Sequence, residues 1–126
     1  MTRAVPGVRV KTGDWWDTID FDRGGKVTIV PAYHWTTHAV RDRRMALWSG
    51  FMLHTDGGCA YFAGDTGYGD GQIFREMRTR LGRPDLTLIA IGAYAPRWFM
   101  REQHVDPDET VQIVENLEAV RAVGIH

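Results

Sequence analysis

Four side chains stand where chemistry is usually delivered: the carboxylate of Asp65 and the imidazoles of His34, His104 and His126. Asp65 lies in Tyr61-Phe62-Ala63-Gly64-Asp65-Thr66-Gly67-Tyr68, an apolar strand that ends with a carboxylate inside a glycine-flanked turn. A strand buried in a sheet delivers its last side chain to the carboxyl edge, and glycines on either side let backbone, metal or substrate approach closely. An ordinary turn, with the aspartate bonding to its own backbone two residues on, fits the same residues. His34 follows a β-branched run, His104 immediately precedes a helix, and His126 begins the element after that helix. Strand-end residues from consecutive units meet along one sheet edge. Histidine and carboxylate ligands without cysteine suit zinc, manganese or iron, and a carboxylate can bridge two such ions about 3.5–4 Å apart. Three ligands do not complete a two-metal site, and any one of these histidines, taken alone, is equally a surface or core residue.

At 126 residues the chain is one domain's worth, large enough to bury a core. Hydrophobic residues at 44% and charged residues at 25% describe an ordinary globular protein. A net charge of −1 argues against a general nucleic-acid binder. The single cysteine, Cys59, excludes an intrachain disulfide and a cysteine metal cage, so the expected compartment is reducing and cytoplasmic, or peripheral to a membrane. Residues 1–10 have no apolar signal core, and no run of about 18 apolar residues occurs, so no membrane span is expected.

The elements that must position the four side chains read as follows. Val8 and Val10 alternate with polar neighbours over residues 7–11, which predicts a strand, and the Trp15-Trp16 pair predicts a packed aromatic turn. Residues 20–25 form a hairpin link, and residues 26–32 a strand stopped at Pro31. Residues 36–44, with His38, Arg41, Arg43 and Arg44, read as a loop, either solvated surface or anion-facing. Residues 45–53 and 59–63 make a central antiparallel pair across Thr55-Asp56-Gly57-Gly58, with His54 at a surface turn. Ile73, Phe74, Met77 and Leu81 predict a helix stopped by Gly82 and Pro84, and residues 86–91 a strand covered on both faces. Residues 95–103 read as an irregular loop. Asp106 as N-cap, Pro107 at the first helical position and Glu109 three residues after the cap predict a helix with a buried stripe of Val111, Val114, Leu117 and Val120, ended by Gly124. Ile125-His126 then reads as the start of one more strand.

Six motifs in order, Pro31-Ala32-Tyr33-His34-Trp35, Leu47-Trp48-Ser49-Gly50-Phe51, Phe62 to Tyr68, Ile91-Gly92-Ala93-Tyr94-Ala95-Pro96-Arg97-Trp98-Phe99-Met100, His104-Val105-Asp106-Pro107 and Gly124-Ile125-His126, carry a resemblance. Together they resemble the metallo-β-lactamase-fold hydrolases of the N-acylphosphatidylethanolamine phospholipase D type over nearly the whole chain. The resemblance implies an α/β (α+β) architecture: half of an αβ/βα sandwich, a mixed sheet with helices on one face. It also implies that His34 and His126 each ligate one of two zinc ions, that Asp65 bridges both, and that His104 faces the substrate near the bridging hydroxide. The reaction implied is attack of that hydroxide on a phosphodiester, in a phospholipid or another small molecule. Arg97 and Arg101 either meet substrate phosphate or lie on the surface.

The family's H-x-H-x-D-H signature is absent, since the histidines before Asp65 are His34, His38 and His54. Tyr33 stands where glutamine is expected, and His38 where arginine is. The resemblance therefore implies a C-terminal half over residues 1–126, inactive alone, with an apolar sheet face to be covered by a complementary N-terminal half or a second copy. Two other readings stand beside it. One is a non-catalytic remnant or interaction module; the other takes Asp65-Thr66-Gly67 as the aspartic-protease triplet of a homodimer sharing two aspartates.

Overall fold

The computed structural model describes Gly7, residues 10–34 and residues 48–126. Six strands and three helices follow the order β1 (Thr18–Phe21), β2 (Gly25–Pro31), β3 (Ser49–Thr55), β4 (Gly58–Phe62), α1 (Gln72–Leu81), β5 (Leu86–Ala90), α2 (Arg97–Met100), α3 (Pro107–Leu117) and β6 (Ala122–Ile125), with a 3-10 turn at Asp22–Gly24. All six strands form one sheet in sequence order. The pairs from β1 to β4 are antiparallel, and β4–β5 and β5–β6 are parallel. Because β2 and β4 both run against β3, strands β2, β4, β5 and β6 all end at one edge. That edge receives the segments carrying His34, Asp65, Gly92 and His126.

Strand register divides the sheet into two unlike faces. Thr28, Met52, Tyr61 and Thr87 are successive cross-strand partners on one face, and all four are buried. Phe74 and Met77 of α1 and Ile113 and Leu117 of α3 pack on that face with Val30 and Ile89, completing a core in which every side chain is closed to water. Burial of this kind is what holds a short helix in place, since helices of ten or eleven residues are marginal alone. On the other face Ile29, Phe51, Phe62, Leu88 and Val123 are also successive partners. Phe51 and Phe62 stay 43% exposed and Val123 48%, so this apolar row is open along most of its length among the described residues, while Ile29 at its β2 end is buried. A mixed sheet with helices on one face and an uncovered apolar row on the other is the half-sandwich architecture expected from the sequence.

Several local expectations need correction. Gly7 is in a turn and residues 10–14 are not strand; residues 8–9 lie outside the described residues. The first strand is Thr18–Phe21, held to β2 partly by the hydroxyls of Thr18 and Thr28, 3.0 Å apart. The loop at residues 36–44 and the strand start at residues 45–47 also lie outside the described residues. The segment 95–103 is not wholly irregular, because Pro96 caps the short α2. Helix α3 begins as expected, with Glu109 N–H donating to Asp106 Oδ1 at 2.8 Å and the Glu109 carboxylate accepting from Asp106 N–H at 3.4 Å. It ends earlier, at Leu117, where Glu118 takes a left-handed conformation. Its buried side is Ile113 and Leu117, while Val111 and Val120 are 56% and 50% exposed. Gly124 is no helix stop: it lies inside β6, opposite Ile89. His54 is in β3 and half-buried, with Nε2 3.0 Å from the Leu81 carbonyl oxygen.

Candidate functional site

After β2 the chain turns at Tyr33 and His34, and after β4 it turns at Asp65 to Tyr68. A single bridge between Tyr33 and Gly67 joins the two turns. Gly67 N–H donates to the Tyr33 carbonyl, Tyr33 N–H donates to Thr66 Oγ1 at 3.0 Å, and Thr66 Oγ1 donates to the Gly67 carbonyl at 3.0 Å. The loop between α2 and α3 closes on the same turn, with Val105 N–H donating to the Thr66 carbonyl at 3.1 Å. A Cβ at Gly67 would stand 2.7 Å from the Glu102 carbonyl oxygen, so the contact requires glycine. Gly64, at φ 63°, bends the chain before Asp65.

These contacts bring two of the expected residues together. The His34 ring lies 5.6 Å from that of His104, centroid to centroid, at an interplanar angle of 86°. Its other face stacks on Trp48, 4.1 Å away at 27°. Trp48 is itself anchored, because its carbonyl accepts from Trp15 Nε1–H and from Ala32 N–H, each at 3.1 Å. The Nδ1 atoms of His34 and His104 are both buried, and neither has a hydrogen-bond partner among the described residues. Burial holds the His34 imidazole below the ordinary histidine range, the neighbouring His104 pushes it further down, and Asp65 pulls it partly back. The ring is therefore neutral at neutral pH and offers a lone pair.

Asp65 is exposed beside this pair. His126 lies at the same edge but beyond β6, two strands from Asp65, with its carbonyl accepting from Gly92 N–H at 2.9 Å. A Cβ at Gly92 would stand 2.6 Å from that carbonyl oxygen. Among the described residues no group of three or more histidine, cysteine, aspartate or glutamate side chains is gathered to hold an ion. The donor types at His34 and Asp65 nevertheless fit a metal with nitrogen and oxygen ligands, and among the described residues nothing occupies the buried Nδ1 of His34 or of His104.

Three residues that sequence reasoning did not place are Trp48, Thr66 and Arg97 as a clamp. The Arg97 guanidinium pairs with Asp106 Oδ2 at 3.0 Å and with Glu109 Oε2, and its Nη1 donates to the His104 carbonyl at 3.0 Å. It is committed to the loop that carries His104 and is not free for a phosphate. Arg101 is 75% exposed with one long contact to Glu109, 3.9 Å. A cleft of about 530 Å³ lies beside the site, lined by Tyr33, Gly69, Arg101, Glu102 and Glu109. Tyr33 Oη donates to Asp70 Oδ1 at 3.2 Å on its wall, and burial followed by Asp70 raises the phenol's pKa.

A mixed sheet whose strand ends carry histidines and an aspartate at one edge is the arrangement of a metallo-β-lactamase-fold domain. The profile of the beta-lactamase superfamily domain matches residues 1–126, and the chain belongs to that family. It is 39% identical over 116 residues to N-acyl-phosphatidylethanolamine-hydrolyzing phospholipase D 1 of Caenorhabditis elegans, covering 90% of this chain and 32% of the worm protein. To the mitochondrial N-acyl-phosphatidylethanolamine-hydrolyzing phospholipase D of Saccharomyces cerevisiae it is 32% identical over 117 residues, 89% of this chain and 25% of the yeast protein. The chain thus spans about a third and a quarter of these two relatives. Among solved structures, the metallo-beta-lactamase fold protein YhfI of Bacillus subtilis superposes with a TM-score of 0.64 at 14% identity, over 87% of this chain and 39% of that one. That likeness establishes the fold.

Proposed function

We propose that this chain contributes one part of the active site of a metal-dependent hydrolase acting on a phosphodiester, of the kind found in an N-acylphosphatidylethanolamine-like phospholipid. The observation that carries the reading is the pair of buried, unpartnered imidazole nitrogens on His34 and His104, set against the Asp65 turn at the carboxyl edge. The named activity of the worm and yeast relatives supplies the substrate class.

In this reading His34, Asp65 and His126 hold the metal, zinc being the candidate ion, and the remaining donors come from outside the described residues. When bound, the ions polarise phosphoryl oxygens and lower the pKa of water. The chain's own residues do the rest. Trp48 fixes the plane of the His34 ring, and burial keeps that ring neutral so that its nitrogen is available. His104, substrate-facing and with no hydrogen-bond partner at Nδ1 among the described residues, is placed to accept or return a proton as the ester bond breaks. The cleft walled by Tyr33 and Arg101 lies next to this edge and receives part of the substrate. The open stretch of Phe51, Phe62, Leu88 and Val123 takes the complementary half of the sandwich, or a second copy, and the chain is inactive without it. No described helix is long and apolar enough to cross a membrane.

The test is metal stoichiometry per chain after exposure to zinc and removal of loosely bound ions, with and without a supplied N-terminal half. Retention only in the pair, lost on Asp65→Ala and accompanied by phosphodiesterase activity, is the expected result. A pair that binds no metal and cleaves no phosphodiester would instead favour a non-catalytic module.

A further inference from the structure

We propose that Thr66 is the positioning residue of this site: its hydroxyl and its carbonyl together set the separation of His34 and His104 beside Asp65. The proposal rests on the metal-site reading for the use to which the two imidazoles are put, and not for their placement. Thr66 is 1% exposed, in a turn whose preceding residue is the exposed Asp65. Among the described residues it makes three hydrogen bonds, to three different places. The hydroxyl accepts from Tyr33 N–H at 3.0 Å, one residue before His34. The same hydroxyl donates to the Gly67 carbonyl at 3.0 Å, so its proton is spent locally and the lone pair toward Tyr33 has a fixed direction. The carbonyl accepts from Val105 N–H at 3.1 Å, one residue after His104.

Through these bonds a single buried residue links three segments that are distant in the chain. The His34 segment follows β2, the Asp65 turn follows β4, and the His104 loop lies between α2 and α3, so nothing in local sequence holds them together. A hydroxyl that accepts from a partly buried backbone N–H cannot be replaced by a methyl without costing that donor its partner. A β-branched side chain is also stiff at χ1, which holds the hydroxyl in one direction. Thr66 acts on the site only through the neighbours it holds.

The experiment uses the full chain with 15N-labelled histidines and reads long-range imidazole correlations by NMR, together with amide exchange. In wild type the Tyr33 and Val105 amides should exchange at least about tenfold more slowly than free-chain amides. Thr66→Val, which keeps shape and removes the hydroxyl, should move the His34 and His104 ring signals and leave His54, on β3, in place. Thr66→Ser should restore the wild-type positions. A folded Thr66→Val chain with unmoved His34 and His104 signals, equal movement at His54, or no restoration by serine would overturn the proposal. If Thr66→Val does not fold, free-chain exchange at Tyr33 in the wild type overturns it, and protection there with wild-type ring signals in Thr66→Ser upholds it. Zinc plays no part in these readouts, so loss of the metal reading would leave the result standing.

Discussion

His34 and His104 meet edge to face with ring centroids 5.6 Å apart, although one follows β2 and the other precedes α3. Backbone hydrogen bonds at the neighbouring Tyr33 and Val105 hold the two segments against the same turn, so the residues around the rings carry most of what can be tested.

Arg97 holds the His104 loop by two carboxylates and a carbonyl. Hydrogen bonds to charged groups contribute about 1.5–3 kcal/mol each when partly buried. Arg97→Gln should therefore lower the stability of the chain by about 2 kcal/mol in urea unfolding with an unchanged m-value, and Arg97→Lys should recover less than half of the loss. A glutamine variant as stable as wild type would mean that the clamp is an incidental surface pair.

Cys59 is the free thiol, and burial, with Asp85 adding to it, raises its pKa to about 11 from the ordinary 9.0. Two pH units correspond to about 100-fold less thiolate at pH 8, so alkylation by iodoacetamide should slow by about that factor relative to the urea-unfolded chain. His54 Nε2 lies 3.4 Å from the Cys59 sulfur and 3.0 Å from the Leu81 carbonyl, and a nitrogen that donates to that carbonyl cannot act as a base toward the thiol. The unfolded thiol ionises first, so this group's contribution to stability falls as pH rises through 9.0 toward 11. Equal alkylation rates in the two states would refute the half-buried placement.

Tyr61 is fully buried, and its hydroxyl has no partner among the described residues. Removing an unsatisfied buried hydroxyl relieves a desolvation cost of about 1–3 kcal/mol. Tyr61→Phe should raise the unfolding midpoint, against the usual direction for a core substitution. A fall in stability would mean that the hydroxyl has a partner in solution.

Phe62 lies on the open row, where packing contributes little to the isolated chain. Phe62→Lys should change stability by no more than about 0.5 kcal/mol and should shift the chain toward monomer in sedimentation velocity. A marked loss of stability would place Phe62 inside the fold of the single chain.

Much of the scaffold was legible because local chemistry agreed with the fold. Ile73, Phe74, Met77 and Leu81 with Gly82 marked α1, and Asp106-Pro107 with Glu109 marked the start of α3. The end of α3 was not legible, because Val111, Val114, Leu117 and Val120 also fit a helical period, while tertiary pairing with β5 draws residues 122–125 into a strand. β1 was hidden because Thr18 and Asp20 face water on an edge, and α2 because four residues carry no period. At the site, the residue types and the shared edge could be read from the sequence and its resemblance. The Trp48 stack, the Thr66 bonds and the Arg97 clamp could not, since each joins segments distant in the chain. The one signal in the sequence for Arg97 was the acidic capping box of Asp106 and Glu109, a natural counter-charge.

The two borders of the sheet differ in a way that governs crowding behaviour. β1 carries Asp20 and is followed by Asp22, whereas Ala122-Val123-Gly124-Ile125 of β6 presents no charge and is hydrogen-bonded on one side only among the described residues. A bare border of this kind accepts a foreign strand, and a charged one repels it. Among the described residues, strand addition is therefore expected at β6 and disfavoured at β1.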